Sequence, residues 1–251
     1  MARIHLIAQG KGGVGKSYVA WVLAQYFQER NCKTLFIDTD PVNQTFASVK
    51  SLGVERVDIT DGDDVDQRCF DDLFAKTLEC APDTEVVIDN GSSGYVSLMS
   101  YLIANETVSQ LQELGHEVYI HSVLVGGQNL SETLGNFDQM AHRLTTAKFV
   151  VWLNHHIDGS VEFGGKSIRE SKTLTKHGEC IHSIIDLPYR KERLFGEDIR
   201  RLLAAHQTFA EGIKNENFIV FAQDRLKVVQ RDTFASLDQS GLLNSTQSEE
   251  V

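Results

Sequence analysis

A basic surplus, paired cysteines, proline-rich linkers and long apolar runs are all missing from this 251-residue chain. Lysine and arginine total 24 against 35 aspartates and glutamates, for a formal net charge of −11. That balance excludes a general polyanion-binding surface and leaves open only a local basic patch. The four cysteines, Cys32, Cys69, Cys80 and Cys180, are scattered, with neither a C-x-x-C pair nor zinc-type spacing. They read as reduced thiols of a cytosolic protein. No apolar stretch approaches the roughly 18–20 residues that a bilayer span requires. The first apolar run opens at Ile4, which leaves no room for a signal peptide and predicts a cytoplasmic location. There are only three prolines, no Pro/Gly/Ser-rich linker and no internal repeat. One domain is therefore expected over residues 1–240, with a polar, fraying tail over 241–251.

What is present concentrates first at residues 3–17. Ile4 to Ala8 reads as a buried strand that stops at a glycine-rich turn. After Ser17 the period becomes helical, with Val19, Val22, Leu23, Tyr26 and Phe27 on one face. Between them, Gly10, Gly15, Lys16 and Ser17 satisfy G-x-x-x-x-G-K-[ST] in strand–loop–helix context. Glycines let backbone N–H groups close on phosphate oxygens, and the helix start adds unpaired N–H groups and a positive dipole end. The stretch predicts a phosphate cradle in which Lys16 reaches the β- and γ-phosphates and Ser17 ligates Mg²⁺.

Two further strands end in carboxylates. Lys33–Ile37 runs into Asp38-Thr39-Asp40-Pro41, and Glu85–Ile88 runs into Asp89. Carboxylates beyond a strand's C-terminal end lie where open α/β sheets bind ligands. Asp89 fits a Mg²⁺-holding Walker B aspartate, while Asp40-Pro41 also suits a simple cap and turn. Further strands are expected at 117–124, 149–154 and 181–187, with helices near 129–144, 192–206 and 220–237. Repeated strand–helix order predicts an α/β fold: a mostly parallel, doubly wound sheet with helices on both faces.

Other stretches read more plainly. The acidic cluster Asp58, Asp61, Asp63, Asp64 and Asp66 lacks the EF-hand glycine and glutamate and is expected to be a solvated loop. His155-His156 has no third ligand at metal spacing. Gly164-Gly165-Lys166-Ser167 imitates a second cradle, but Ser160 stands where the motif needs glycine. Arg190, Arg193, Arg200 and Arg201 are expected on a helical surface. The last helix has no basic face, since Asp224 and Asp232 balance Lys227 and Arg231, so no membrane anchor is expected there.

Lys11-Gly12-Gly13-Val14-Gly15-Lys16-Ser17 resembles the deviant Walker A motif of the ParA/MinD family. That resemblance implies an ATPase that uses ATP and Mg²⁺ and dimerises around its nucleotide, with Lys11 crossing to the partner's ATP. It implies that Asp40 positions the attacking water and Asp38 stands near the metal's outer shell. Asn154 would recognise the adenine, with Pro188 and Tyr189 beside the base. Tyr18 replaces a threonine common in the family, so only its backbone N–H is left for the α-phosphate. Ile88-Asp89-Asn90-Gly91-Ser92-Ser93, Val125-Gly126-Gly127-Gln128, Val151-Trp152-Leu153-Asn154 and Leu187-Pro188 with Phe195-Gly196-Glu197-Asp198 resemble TraL-type proteins of conjugative plasmids. This implies a bacterial cytoplasmic ATPase accessory to conjugal DNA transfer, with a protein partner in that apparatus; direct contact with nucleic acid stays open. A P-loop kinase for a small molecule and a nucleotide-gated binding module with negligible turnover are the competing readings.

Overall fold

The structure, a computed structural model, describes residues 1–61, 64–157, 159–187, 190 and 192–243. The first half contains β1 (Arg3–Ile7), α1 (Lys16–Glu29), β2 (Lys33–Asp38), β3 (Glu55–Arg56), β4 (Thr60–Asp61), β5 (Asp64–Val65) and α2 (Cys69–Leu78). Then come β6 (Thr84–Asp89), α3 (Tyr95–Ala104), α4 (Thr107–Glu113), β7 (Glu117–Val125) and α5 (Leu130–Arg143). The rest comprises β8 (Lys148–Asn154), β9 (Glu162–Phe163), β10 (Lys166–Ser167), α6 (Lys172–Lys176) and β11 (Ile181–Leu187). It closes with α7 (Glu197–Ala204), α8 (Phe209–Lys214) and α9 (Val220–Ser240). Pro188, Tyr189, Asp63 and the tail expected to fray over 244–250 lie outside the described residues.

Among the described residues, seven strands form one sheet in the order β11-β8-β7-β1-β6-β2-β3, every neighbouring pair parallel. The pleat sorts its side chains. Ile4, Leu6, Ile88, Ile120 and Phe149 join the core beneath α2–α5, while Ile7, Val87, Val123, Val150 and Trp152 join the core beneath α1 and α7–α9. The doubly wound parallel sheet expected from the strand–helix alternation is the fold observed.

Helix α1 departs from the one-face expectation. Ala20, Trp21, Ala24 and Gln25 are buried along with Val19, Val22, Leu23, Tyr26 and Phe27. The sheet covers one side and the C-terminal helices cover the other. Trp21 packs on Phe209, Tyr26 on Phe234, and the Tyr26 hydroxyl donates to Asp238 at 3.0 Å. A helix apolar all round is one that is buried all round.

A polar chain crosses the four central strands inside this core. The Trp152 indole N–H donates to His121 Nδ1 at 2.9 Å, and an indole can only donate. The His121 proton is thereby assigned to Nε2, which meets His5 Nδ1 at 3.0 Å. His5 must then carry its own proton on Nε2, 3.0 Å from Glu85 Oε2, whose other oxygen accepts from Arg3. Burial, followed by the neighbouring His5, pushes the His121 pKa well below the usual histidine range. Burial alone would raise Glu85, but hydrogen bonds from His5 and Arg3 outweigh it and hold the carboxyl below its ordinary value.

Two sequence expectations are corrected. The acidic stretch is not a plain loop: Thr60–Asp61 and Asp64–Val65 pair as an antiparallel hairpin, anchored by the fully buried Ile59. The helix expected over 192–206 begins as a π-helical turn at Glu192–Gly196 and ends at Ala204. The imitation cradle is another hairpin, in which Gly164 and Gly165 take positive φ between β9 and β10. That is the geometry of a two-residue turn and not of a phosphate loop. Among the described residues, no helix is long and apolar enough to cross a membrane.

Candidate functional site

Parallel register brings the important strand ends level. Asp89 at the end of β6 pairs with Ile7 on one side and Asp38 on the other. Asn154 at the end of β8 lies level with Val125 and Leu187. The loops after β1, β2, β6 and β8 therefore emerge along one edge, at the point where the chain's direction of winding reverses about β1. Residues 10–17 occupy the centre of that edge. Gly15 takes φ 101°, a left-handed conformation that favours glycine, and a Cβ there would come within 2.8 Å of the Asn154 amide nitrogen.

Lys16 is 7% exposed and folds back so that Nζ donates to the Lys11 carbonyl at 3.0 Å. Burial lowers its pKa, partly countered by the charges of Asp89 and Asp40. Asn154 donates to the Val14 carbonyl at 2.9 Å and accepts from the His156 N–H at 3.1 Å. Its amide thus clasps the loop to β8, with one N–H and one lone pair left over. The buried Gln9, not anticipated from sequence, does similar work on the other side. Its amide donates to the Val123 and Thr133 carbonyls, and its oxygen accepts from the Gly10 N–H.

The three aspartates have different surroundings. Asp89 is 1% exposed, and neither carboxylate oxygen has a hydrogen-bond partner. Burial pushes its pKa up to about 7; the Ser17 hydroxyl approaches and tempers this without reaching hydrogen-bond geometry, and Asp38 adds to it. Asp38 is instead occupied, accepting from the Asp40 N–H at 3.0 Å and the Ala47 N–H at 2.9 Å, so it pins the loop after β2. Its pKa is raised by burial, with those two hydrogen bonds opposing. Asp40 accepts from the Val42 and Asn43 N–H groups at 2.9 and 3.0 Å, the turn that Asp40-Pro41 suggested. The same carboxylate lies against Gly91 on the loop after β6. Thr39 and Asn90 link these loops again, the threonine hydroxyl standing 3.2 Å from the asparagine oxygen and from the Asp89 carbonyl.

Beside Gly15 opens a mainly apolar cavity of about 310 Å³, lined by Tyr18, Asn154, Ile157, Phe195, Ile199 and Val229, among others. Arg190 and Arg200 also reach it. Arg190 is thus not on the helical surface expected of it: it precedes the π-helical turn, pairs with Asp232 and lies over the Phe195 ring. Lys11 pairs with Glu132 of α5 at 2.9 Å within the same chain. His155 is held by Asp186 and by the Val161 N–H, and among the described residues no group of three or more His, Cys, Asp or Glu side chains converges to hold a metal ion. Lys227 and Arg231 pair with Asp224 and Asp232, leaving α9 without a free basic stripe.

Residues 5–222 match the CobQ/CobB/MinD/ParA nucleotide binding domain. Two proteins named TraL from Escherichia coli are 43% and 41% identical over 247 and 244 residues, covering 97% of this chain and all of theirs. The chain belongs to the ParA/MinD nucleotide-binding family, on its TraL branch. Solved members of the family share the fold. The MinC:MinD cell division complex of Aquifex aeolicus aligns with a TM-score of 0.53 at 12% identity, over 93% of this chain and 96% of that one. The septum site-determining protein MinD of Pyrococcus horikoshii, complexed with Mg-ADP, aligns with a TM-score of 0.50 at 18% identity, over 94% and 98%. Family membership makes this a nucleotide-binding domain, and residues 10–17 stand at the centre of its strand edge.

Proposed function

We propose that this chain is a Mg²⁺-dependent ATPase that pairs two copies around ATP and serves as an accessory switch in plasmid conjugal DNA transfer in the bacterial cytoplasm. The observation that carries the reading is Asp89: a fully buried carboxylate with both oxygens unpartnered, beside Ser17 and Lys16. Buried charges are retained where a partner of opposite charge completes them. Ser17 and Asp89 suit a hard divalent cation that keeps several waters, so the residues fit Mg²⁺. When bound, Mg²⁺ would screen the phosphate charge.

The chain's own residues divide the remaining work. The N–H groups of Gly12 to Tyr18 and the start of α1 cradle the phosphates. Lys16 leaves the Lys11 carbonyl to meet the β- and γ-phosphates. Asp40, held by the Val42 and Asn43 N–H groups and seated on Gly91, orients the attacking water. Asp38 acts by pinning that loop, a step further from the metal than the resemblance implies. Asn154 and Pro188 border the base. Lys11, freed from Glu132, supplies positive charge to the γ-phosphate of the partner copy.

Phosphate release measured with ATP and Mg²⁺, with and without DNA, tests the activity. Wild type should turn over slowly, Asp40→Ala should bind ATP but release phosphate about 10²-fold more slowly, and Lys16→Ala should not bind. Transfer of the phosphate to a small acceptor would instead identify a kinase. ATP binding with no release under any condition would leave a binding module.

A further inference from the structure

The residue after Ser17 carries an aromatic ring into the cavity beside the loop, and its position suggests a use. Tyr18 lies in the first turn of α1, so its backbone belongs to the phosphate cradle while its side chain lines the 310 Å³ cavity. The ring is braced from one side. Trp21, fully buried, stacks on it with centroids 5.6 Å apart and planes 25° off parallel, and Trp21 itself packs on Phe209 at 4.5 Å. Across the chain, Phe195 lines the same cavity from the π-helical turn Glu192–Gly196. Arg190, anchored on Asp232, lies over the Phe195 ring at 5.5 Å. π-Helical turns are rare and concentrate at functional sites.

We propose that Tyr18 and Phe195 are base-binding residues: their rings wall a slot that grips the nucleobase of a nucleoside triphosphate by stacking. The inference rests on the nucleotide reading above. Three observations carry it. The cavity adjoins Gly15, so a ligand whose phosphates lie on residues 10–17 extends its base into it. The volume lies at the lower end of the range for small-molecule clefts, and the lining is mostly apolar and aromatic. Tyr18 is only half-buried, and its hydroxyl makes no hydrogen bond to any described residue, so nothing ties the ring away from the cavity it lines. The tyrosine therefore contributes its ring to the cavity, beside the Asn154 amide, which keeps one N–H and one lone pair beyond its bonds to the Val14 carbonyl and the His156 N–H.

Calorimetric titration of Mg²⁺ with ATP, and of Mg²⁺ with inorganic tripolyphosphate, separates the base slot from the phosphate cradle. Tyr18→Ala should bind ATP about 10-fold more weakly, with tripolyphosphate binding unchanged, because stacking on an aromatic ring is lost while the backbone cradle stays. Tyr18→Phe keeps the ring and should stay within about 3-fold of wild type for both ligands. Phe195→Ala, a half-buried position outside the core, should reproduce the ATP-selective loss and carries the test if Tyr18→Ala fails to fold. Equal losses of ATP and tripolyphosphate, no loss of ATP, or Tyr18→Phe as weak as Tyr18→Ala would overturn the slot. Wild-type protein that binds neither ligand would instead overturn the nucleotide reading itself.

Discussion

The Asp40 carboxylate lies so close over Gly91 that a Cβ on Gly91 would stand 2.4 Å from its carboxyl carbon. The loop after β2 and the loop after β6 thus meet at a point where only a hydrogen fits.

Gly91→Ala is accordingly expected to displace Asp40 while leaving residues 10–17 in place. ATP affinity should stay within about 3-fold, while phosphate release should fall by roughly 10- to 100-fold, as for loss of a positioned water. Paired binding and turnover measurements check this; undiminished turnover would dismiss the role of the contact.

The Lys11–Glu132 pair joins two side chains that are 34% and 51% exposed, so it holds Lys11 only weakly. Glu132→Ala should shift ATP-dependent pairing of two copies by less than about 5-fold. Lys11→Ala should abolish it, because two phosphate tails would face each other without a bridging charge. Light scattering with a non-hydrolysable ATP analogue reads both. Equal pairing in Lys11→Ala, or in wild type with ADP, would remove the trans role.

Asp89 sets a pH dependence in the nucleotide-free protein. Its folded pKa of about 7 lies above the ordinary carboxyl value. Between about pH 4 and pH 7 the unfolded chain has released a proton that the folded chain keeps, so this group's contribution to stability falls as pH rises across that window. Asp89→Asn should raise stability at pH 8 by about 2–4 kcal/mol and flatten the profile. Urea unfolding at pH 5 and pH 8 measures it. A variant less stable than wild type at pH 8 would contradict the assignment.

His121→Ala would leave the Trp152 N–H and the His5 Nδ1 without partners in a dry core. A loss of about 3 kcal/mol or more is expected from the cavity and the orphaned donor together. Denaturant titration should show it, with ATP affinity of the folded fraction little changed. A change within about 0.5 kcal/mol would mean that the chain of bonds contributes little.

The readable parts of the sequence were those whose cause is local. The run from Ile4 through the glycines to Lys16 and Ser17 carries strand, turn and helix in one short segment, and Asp89 ends a strand whose apolar run is continuous. Neither needed a distant partner to be recognised. Gln9, Thr39, Asn90 and Glu132 escaped because their partners lie elsewhere in the chain, Gln9 on Val123 and Thr133 and Thr39 on Asn90. Asn154 and Asp38 stood at the expected strand ends, but the use of their side chains depended on Val14, His156 and Ala47. The apolar Ala20, Trp21 and Ala24 were visible in α1, yet their burial required α8 and α9, which lie far along the chain. Arg190 looked helical because the charge pattern around it resembles a solvated face, and the π-helical turn gives no such signature.

The encasement of α1 has a consequence for how the protein is made. Glycines, lysine and serine of the loop leave the ribosome first, but the helix that aims them keeps its outer side bare until Phe209, Phe234 and Asp238 have been synthesised. Until then Trp21 lacks Phe209 and Tyr26 lacks Phe234 and Asp238. A growing chain that already contains the whole of residues 10–17 is therefore still without the wall against which they are set. A nascent chain stalled before α8 would expose the aromatic outer side of α1 to chaperones or to its neighbours on the polysome.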